Sequence, residues 1–166
     1  IILTMNHKPS NAALQVREKT GEGQNVDVAL VDSVYASLEN IPQKVFVEGK
    51  VPGRIGNRYE FVYPYDSFEA RDGWVIIGIA NDVIWRRFLE TTELEELDRP
   101  ELVKNVSRVA NHEEIKAAVQ GWVSERSVED VVSTLNDNGV PSCPIYDLKQ
   151  ASEDPHIGGA REMTVE

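Results

Sequence analysis

Residues 65–80 read YDSFEARDGWVIIGIA, and the fold class turns on them. Tyr65 to Ala70 alternates with the period of two of a half-buried strand. Asp72-Gly73 is a tight-turn dipeptide, and Trp74 to Ala80 is rich in β-formers, so the stretch predicts a β-hairpin. Beyond it the apolar period lengthens to that of a helix. Asn81 or Asp82 caps a segment carrying Val83, Ile84, Trp85, Phe88 and Leu89 on one side. His112 to Val123 gives a second amphipathic helix through Ile115, Ala118, Val119 and Trp122. Ser127-x-x-Asp130 resembles a capping box and opens a third, with Val128, Val131, Val132 and Leu135 as its apolar face and Asn138-Gly139 as its end. Val140 to Tyr146, bracketed by prolines, predicts a buried strand. Asp147 caps a short helix that Asp154-Pro155 ends, and residues 161–165 read as a last strand.

Upstream of the hairpin, residues 11–19 read as the final turns of a helix. Arg17 and Lys19 lie where the helix dipole favours cations, and Gly21 and Gly23 stop it. Pro9 interrupts the residues before. Val26, Val28, Leu30 and Val31 begin a new apolar segment whose continuation to Leu38 has helical spacing. Residues 40–58 are expected to be loop, with Pro42, Pro52, Gly49, Gly53 and Gly56 among basic Lys44, Lys50, Arg54 and Arg58. Strands and helices do not alternate regularly along the chain, which predicts an α+β layer and argues against a doubly wound sheet.

The 166 residues suit one compact domain, or one domain with trailing linkers, and 41% are hydrophobic, enough to bury a core. A net charge of −11, from 28 acidic against 17 basic residues, argues against nucleic acid and anionic membrane as partners. The densest acidic group, Glu93, Glu95, Glu96, Asp98 and Glu101, reads as a solvated face. The single cysteine, Cys143, excludes an internal disulfide and fits a reducing, cytoplasmic compartment; in its strand the thiol is expected to act as a small hydrophobe. No apolar run reaches the length of a membrane span, and the first residues lack the pattern of a secretory signal.

Few patterns point to chemistry. His7, His112 and His156 have no second His or Cys at ligand spacing, so no metal site is expected. Gly21-x-Gly23 follows a helix and lacks a third glycine, unlike a dinucleotide fingerprint. No Gly-x-Ser-x-Gly elbow occurs. Trp74, Trp85 and Trp122 each fall on the apolar side of an element and are assigned to the core. One stretch is suited to ligand contact: Gly53, Arg54, Gly56, Asn57 and Arg58. Its glycines allow close backbone approach, and its arginines suit carboxylate or phosphate. Composition alone favours a binding loop and an ordinary linker equally.

An ordered set of short motifs resembles the class III CoA-transferases, the CaiB/BaiF type. It begins with Arg17-Glu-Lys-Thr-Gly-Glu-Gly-Gln24, Val26-Asp-Val28 and Asp32. It continues with Gly56-Asn57, Pro64-Tyr65, Phe68, Asp72-Gly73, Asn81-Asp82 and Trp85. It ends with Glu125-Arg126, Gly139-Val-Pro141, Pro144, Asp154-Pro-His156 and Arg161-Glu-Met163. The resemblance implies residues 1–58 as the end of a large, Rossmann-like domain with a glycine-rich linker, residues 59–153 as a small α+β domain, and 154–166 as a return linker. It implies transfer of CoA between an acyl-CoA and a small carboxylic acid through an aspartyl-CoA intermediate. The thioester is then a substrate, with no permanently bound cofactor. The whole enzyme would be an interlocked homodimer, and Gly53, Arg54, Gly56, Asn57 and Arg58 would cover the intermediate. The family's nucleophilic Asp precedes the Arg-Glu-Lys-Thr-Gly helix. Residues 1–12 hold no acid, so no catalytic residue is assigned here and the chain alone is expected to be inactive. An α-methylacyl-CoA racemase fragment and a non-catalytic acyl-CoA or partner-binding module are the alternatives.

Overall fold

The computed structural model describes residues 2–38 and 40–160, with side chains from Pro9 onward. The strand expected at 161–165 lies outside the described residues, as does the side chain of His7. The chain divides into two units, residues 1–54 and 55–166.

The first unit is helical. Helix α1 (Ile2–Thr20) runs through Pro9 without a break, contrary to the expected interruption, and carries Arg17 and Lys19 in its last turn. It ends where the Gly21 N–H donates to the Arg17 carbonyl at 2.8 Å. Helix α2 (Leu30–Ala36) follows. Helix α3 (Ile41–Glu48) occupies part of the stretch expected to be loop. Pro42 sits in its first turn, where a missing N–H leaves no bond unmade. Gly49 closes it at φ 69°. Read as breakers, these two residues in fact bracket a helix. Among the described side chains of this unit only Ser33 is buried, while Leu30, Val31, Val34, Tyr35, Phe46 and Val47 are exposed.

The second unit holds the sheet. Strands β1 (Tyr65–Ala70) and β2 (Gly73–Gly78) form the expected antiparallel hairpin, and β3 (Ser142–Pro144) joins the far side of β2. The remaining helices are α4 (Asp82–Thr92), α5 (Asn105–Ala110), α6 (His112–Ser124), α7 (Val128–Asp137) and α8 (Leu148–Glu153). Short 3-10 turns cover Glu95–Leu97 and Pro100–Leu102, and a π-helical turn covers Pro155–Ala160. The architecture is α+β.

The hairpin register differs by one residue from the sequence reading. Ala70 pairs with Gly73, so Arg71 and Asp72 form the corners. The Asp72-Gly73 pair seats α7 instead. The Asp72 carboxylate accepts the Val128 N–H at 2.7 Å. A Cβ on Gly73 would meet Val128 Cγ2 at 3.0 Å, so glycine permits the close approach.

Local capping sets the helix starts. Asn81 Oδ1 accepts from the N–H groups of Val83 and Ile84, both at 3.0 Å. Ser127–Asp130 and Asp147–Gln150 form reciprocal capping boxes. Phe68, Val75 and Ile77 then share one sheet face, with Phe68 opposite Val75. They join Ile115, Val119 and Val123 of α6, Val131 and Leu135 of α7, and Trp85 and Phe88 of α4 in one buried cluster. Two core assignments fail for the same reason. Trp74 neighbours the inward-facing Val75, and Cys143 pairs with Ile76, so strand alternation turns both outward. Trp74 is 44% exposed and Cys143 is exposed; Trp85 and Trp122 are buried as expected.

Candidate functional site

The helices pack against one sheet face and leave the other open. Tyr65, Ser67 and Glu69 of β1, Trp74 and Ile76 of β2, and Cys143 of β3 share that second face through the register. Tyr65, Glu69, Trp74 and Cys143 are exposed and Ile76 is half-buried. Ser67 departs from the pattern, at 5% exposure.

The burial of Ser67 coincides with the arrival of the glycine-containing loop. Gly56 turns the chain with φ +74°, a conformation that disfavours side chains. Asn57 Nδ2 then donates to Ser67 Oγ at 2.9 Å. Two residues on, the Tyr59 N–H donates to the Tyr65 carbonyl at 2.7 Å. The Tyr59 ring lies 5.7 Å from that of Tyr65 and 5.6 Å from that of Phe61. The loop is thereby fastened along the outer edge of β1.

A charged pair lies next to this attachment. Asp66 is buried; one carboxylate oxygen accepts the Ser67 N–H at 2.8 Å and the other accepts Lys116 Nζ at 2.7 Å. The ammonium also stands 6.0 Å from the Phe68 ring centre. Arg58 is half-buried. Its charge reaches Tyr63, whose phenol is raised above its ordinary value by burial and then by Asp66, with Arg58 opposing the shift. The Tyr63 hydroxyl has no hydrogen-bond partner among the described residues.

The five residues singled out in the sequence therefore fall in two places. Gly53 and Arg54 are exposed and end the first unit, and a Cβ at Gly53 would meet nothing within 4 Å. Gly56, Asn57 and Arg58 lie at the start of the second unit, where Asn57 meets Ser67 and the following Tyr59 meets Tyr65. The sequence offered one signal for Ser67, a small polar residue between Tyr65 and Glu69 on the strand face opposite Phe68. Nothing in the sequence tied it to Asn57, ten positions away. A separate cavity of about 170 Å³ lies along α4 and the turns after it, lined by Trp85, Leu89, Leu94, Val103 and several acids, and none of the five lines it.

These groups can bind and orient; they do not pair a nucleophile with a base. Asn57 keeps its carbonyl oxygen and a second N–H after bonding Ser67, and Arg58 brings a fixed positive charge. Among the described residues no group of three or more His, Cys, Asp or Glu is placed to hold a metal ion. No described helix is long and apolar enough to cross a membrane.

The chain matches the family model for CoA-transferase family III over residues 10–166. It is 36% identical over 159 residues to a succinyl-CoA:mesaconate CoA-transferase of Haloarcula marismortui, covering 93% of this chain and 38% of that protein. It is 32% identical over 155 residues to an acetyl-CoA:oxalate CoA-transferase of Acetobacter aceti, covering 93% of this chain and 40% of that one. A crystal structure of a CaiB/BaiF family protein from Brucella suis superimposes with a TM-score of 0.74 at 29% identity, over 93% of this chain and 41% of its own. The chain thus spans about two fifths of the length of each of these proteins.

Proposed function

Because this chain belongs to CoA-transferase family III, we propose that it serves an enzyme that moves coenzyme A from an acyl-CoA donor to a small carboxylic acid. One observation carries the reading: the similarity to enzymes named as CoA-transferases extends over 93% of the chain. In this assignment residues 1–58 close a large domain and link it onward, residues 59–153 are the small domain, and residues 154–166 begin the return. The partners are an acyl-CoA and a small carboxylate. The whole protein is an interlocked homodimer, and a cytoplasmic setting fits the lone Cys143.

The chemistry proceeds by covalent catalysis from a carboxylate. An Asp oxygen attacks the thioester carbonyl and expels the CoA thiolate, leaving a mixed anhydride. The thiolate attacks the Asp carbonyl of that anhydride, releases the donor acid and leaves an aspartyl-CoA thioester. The acceptor carboxylate repeats the two steps in reverse and restores the Asp. The Asp expected before the Arg17 helix has no counterpart in residues 1–12, so residues 1–166 alone are assigned no transfer activity. Their contribution is the loop of Gly53, Arg54, Gly56, Asn57 and Arg58, which covers the anhydride and excludes water.

The test is direct. The full-length protein is incubated with succinyl-CoA and a panel of mono- and dicarboxylates, and new thioesters are resolved by chromatography. Transfer to at least one acid is expected; none with any donor tried would sink the assignment. Transfer by residues 1–166 alone would refute the statement that they lack the nucleophile.

A further inference from the structure

We propose that Ser67 is a positioning residue for the loop, holding Asn57 in the orientation in which the loop meets the acyl-CoA. The proposal deepens the reading above and rests on it for its link to substrate.

Four observations support it. Ser67 is the buried polar residue on an otherwise open sheet face, and its hydroxyl is bonded to Asn57 at 2.9 Å. Its backbone is held in turn by Asp66, whose other oxygen is held by Lys116 of α6. The anchor is therefore tied to the packed core through α6, which packs on β1. The Tyr59 N–H bond to Tyr65 lies on the far side of Asn57 from Gly56, so residues 57–59 are fixed at two points. Gly53 and Gly56, by contrast, are exposed. The loop thus has a fastened end at 57–59 and a glycine-bearing end at 53–56. A binding loop with one fixed end loses less conformational freedom when it closes on a ligand.

A serine that merely fills space would not need Asn57. A double-mutant cycle separates the two roles. Ser67→Ala, Asn57→Ala and the double variant are compared by hydrogen exchange at the Tyr59 amide. Each single change is expected to speed exchange about tenfold, the loss of one hydrogen bond's restraint. The double variant should go no further than either single, and Ser67→Thr, which keeps a hydroxyl, should restore protection. Amides of α6 should not change. Independent, additive effects, or no change at Tyr59, would overturn the proposal.

The second readout is catalytic and uses the full-length enzyme. Ser67→Ala is expected to lower kcat for transfer about tenfold with KM within about twofold, and to raise thioester hydrolysis relative to transfer. Ser67→Thr should recover most of the loss. Unchanged transfer and hydrolysis beside a loosened Tyr59 amide would reject the role toward substrate. If the wild-type enzyme transfers no CoA, the assignment of function fails, and the exchange cycle alone decides whether Ser67 positions the loop.

Discussion

Arg108 is the residue on which the second unit's polar interior converges. Its side chain is fully buried, yet each nitrogen has a partner. Nε donates to the Tyr63 carbonyl at 2.9 Å, Nη1 to those of Leu102 and Val103 at 3.1 and 2.7 Å, and Nη2 to Asp82 at 3.1 Å. The guanidinium also lies 5.2 Å from the Trp85 ring centre. Its fork reaches backbone up to 45 positions away and ties the entry of the hairpin to the turns before α5. Arg108→Met leaves three carbonyls without their donor and takes one of two donors from the Asp82 carboxylate. It is expected to lower the free energy of unfolding by about 3–5 kcal/mol, read from urea denaturation. Arg108→Lys should recover only part, because a point charge cannot reproduce the fork. Asp82 contributes to the pH response. Burial alone would raise its carboxyl, but hydrogen bonds from Lys104 and Arg108, and their charges, hold it below the ordinary value. A depressed folded-state pKa contributes stability above the unfolded value of about 4 and loses it as pH falls through the folded one. The destabilisation by Asp82→Asn should therefore be constant from pH 7 to 5 and shrink below about pH 4. A difference that persists unchanged at pH 2 would show that the charge is not what Asp82 contributes. None of this was legible in the sequence, where Arg108 stands in a segment with no strong period and its partners are distant.

At the scale of elements, β1 shows how a sheet edge is closed by a loop backbone and a side chain. Its outer edge is occupied at one end by Tyr59 and near the other by Gln120 of α6. The Gln120 amide accepts the Glu69 N–H at 3.0 Å and donates to the Glu69 carbonyl at 2.7 Å, pairing with the strand as a neighbouring strand would. An exposed, unpaired edge invites pairing with another chain. Gln120→Ala should cost only about 0.5–1.5 kcal/mol of stability while promoting concentration-dependent self-association. Light scattering and size-exclusion chromatography on the variant check this; a variant as monodisperse as wild type would mean that the edge is protected otherwise. The elements differ in how far the sequence revealed them. The hairpin, α4, α6 and α7 were readable because each combines a strong apolar period with a local turn or cap, both encoded within a few residues. Helix α3 was not, because Pro42 and Gly49 mean opposite things inside and at the ends of a helix. The displaced corner at Arg71-Asp72 was hidden for another reason. What recruits Asp72 and Gly73 is the start of α7, more than fifty residues later. The candidate loop was visible as glycines and arginines, and its anchor on Ser67 was not, since a tertiary contact leaves no periodic trace.

For the whole molecule, charge and burial divide at the same boundary. Residues 1–54 carry six basic and six acidic residues, so the full net charge of −11 resides in residues 55–166. Every buried apolar residue among those described lies between Tyr63 and Val140. Residues 9–54 bury no apolar side chain, and helices as short as α2 and α3 are marginal in water without a packed face. The two units should therefore differ in resistance. Limited trypsin digestion of residues 1–166 is expected to cut first at Arg17, Lys19, Lys44, Lys50 and Arg54. A product beginning near Ile55 should persist, because Arg71, Arg86, Arg87, Arg99, Arg108 and Arg126 lie within the span from Tyr63 to Val140 that holds the buried cluster. Mass spectrometry of the time course identifies the termini. In the full-length protein the same bonds should be protected, since a surface bearing Leu30, Val31, Val34, Tyr35, Phe46 and Val47 is suited to burial against apolar protein. Equal cleavage of both units in residues 1–166 would show that the core does not fold independently. Rapid cleavage at Arg17 and Lys44 in the full-length protein would show that the rest of that protein does not cover this surface, and with it would go the assignment of residues 1–58 to a large domain.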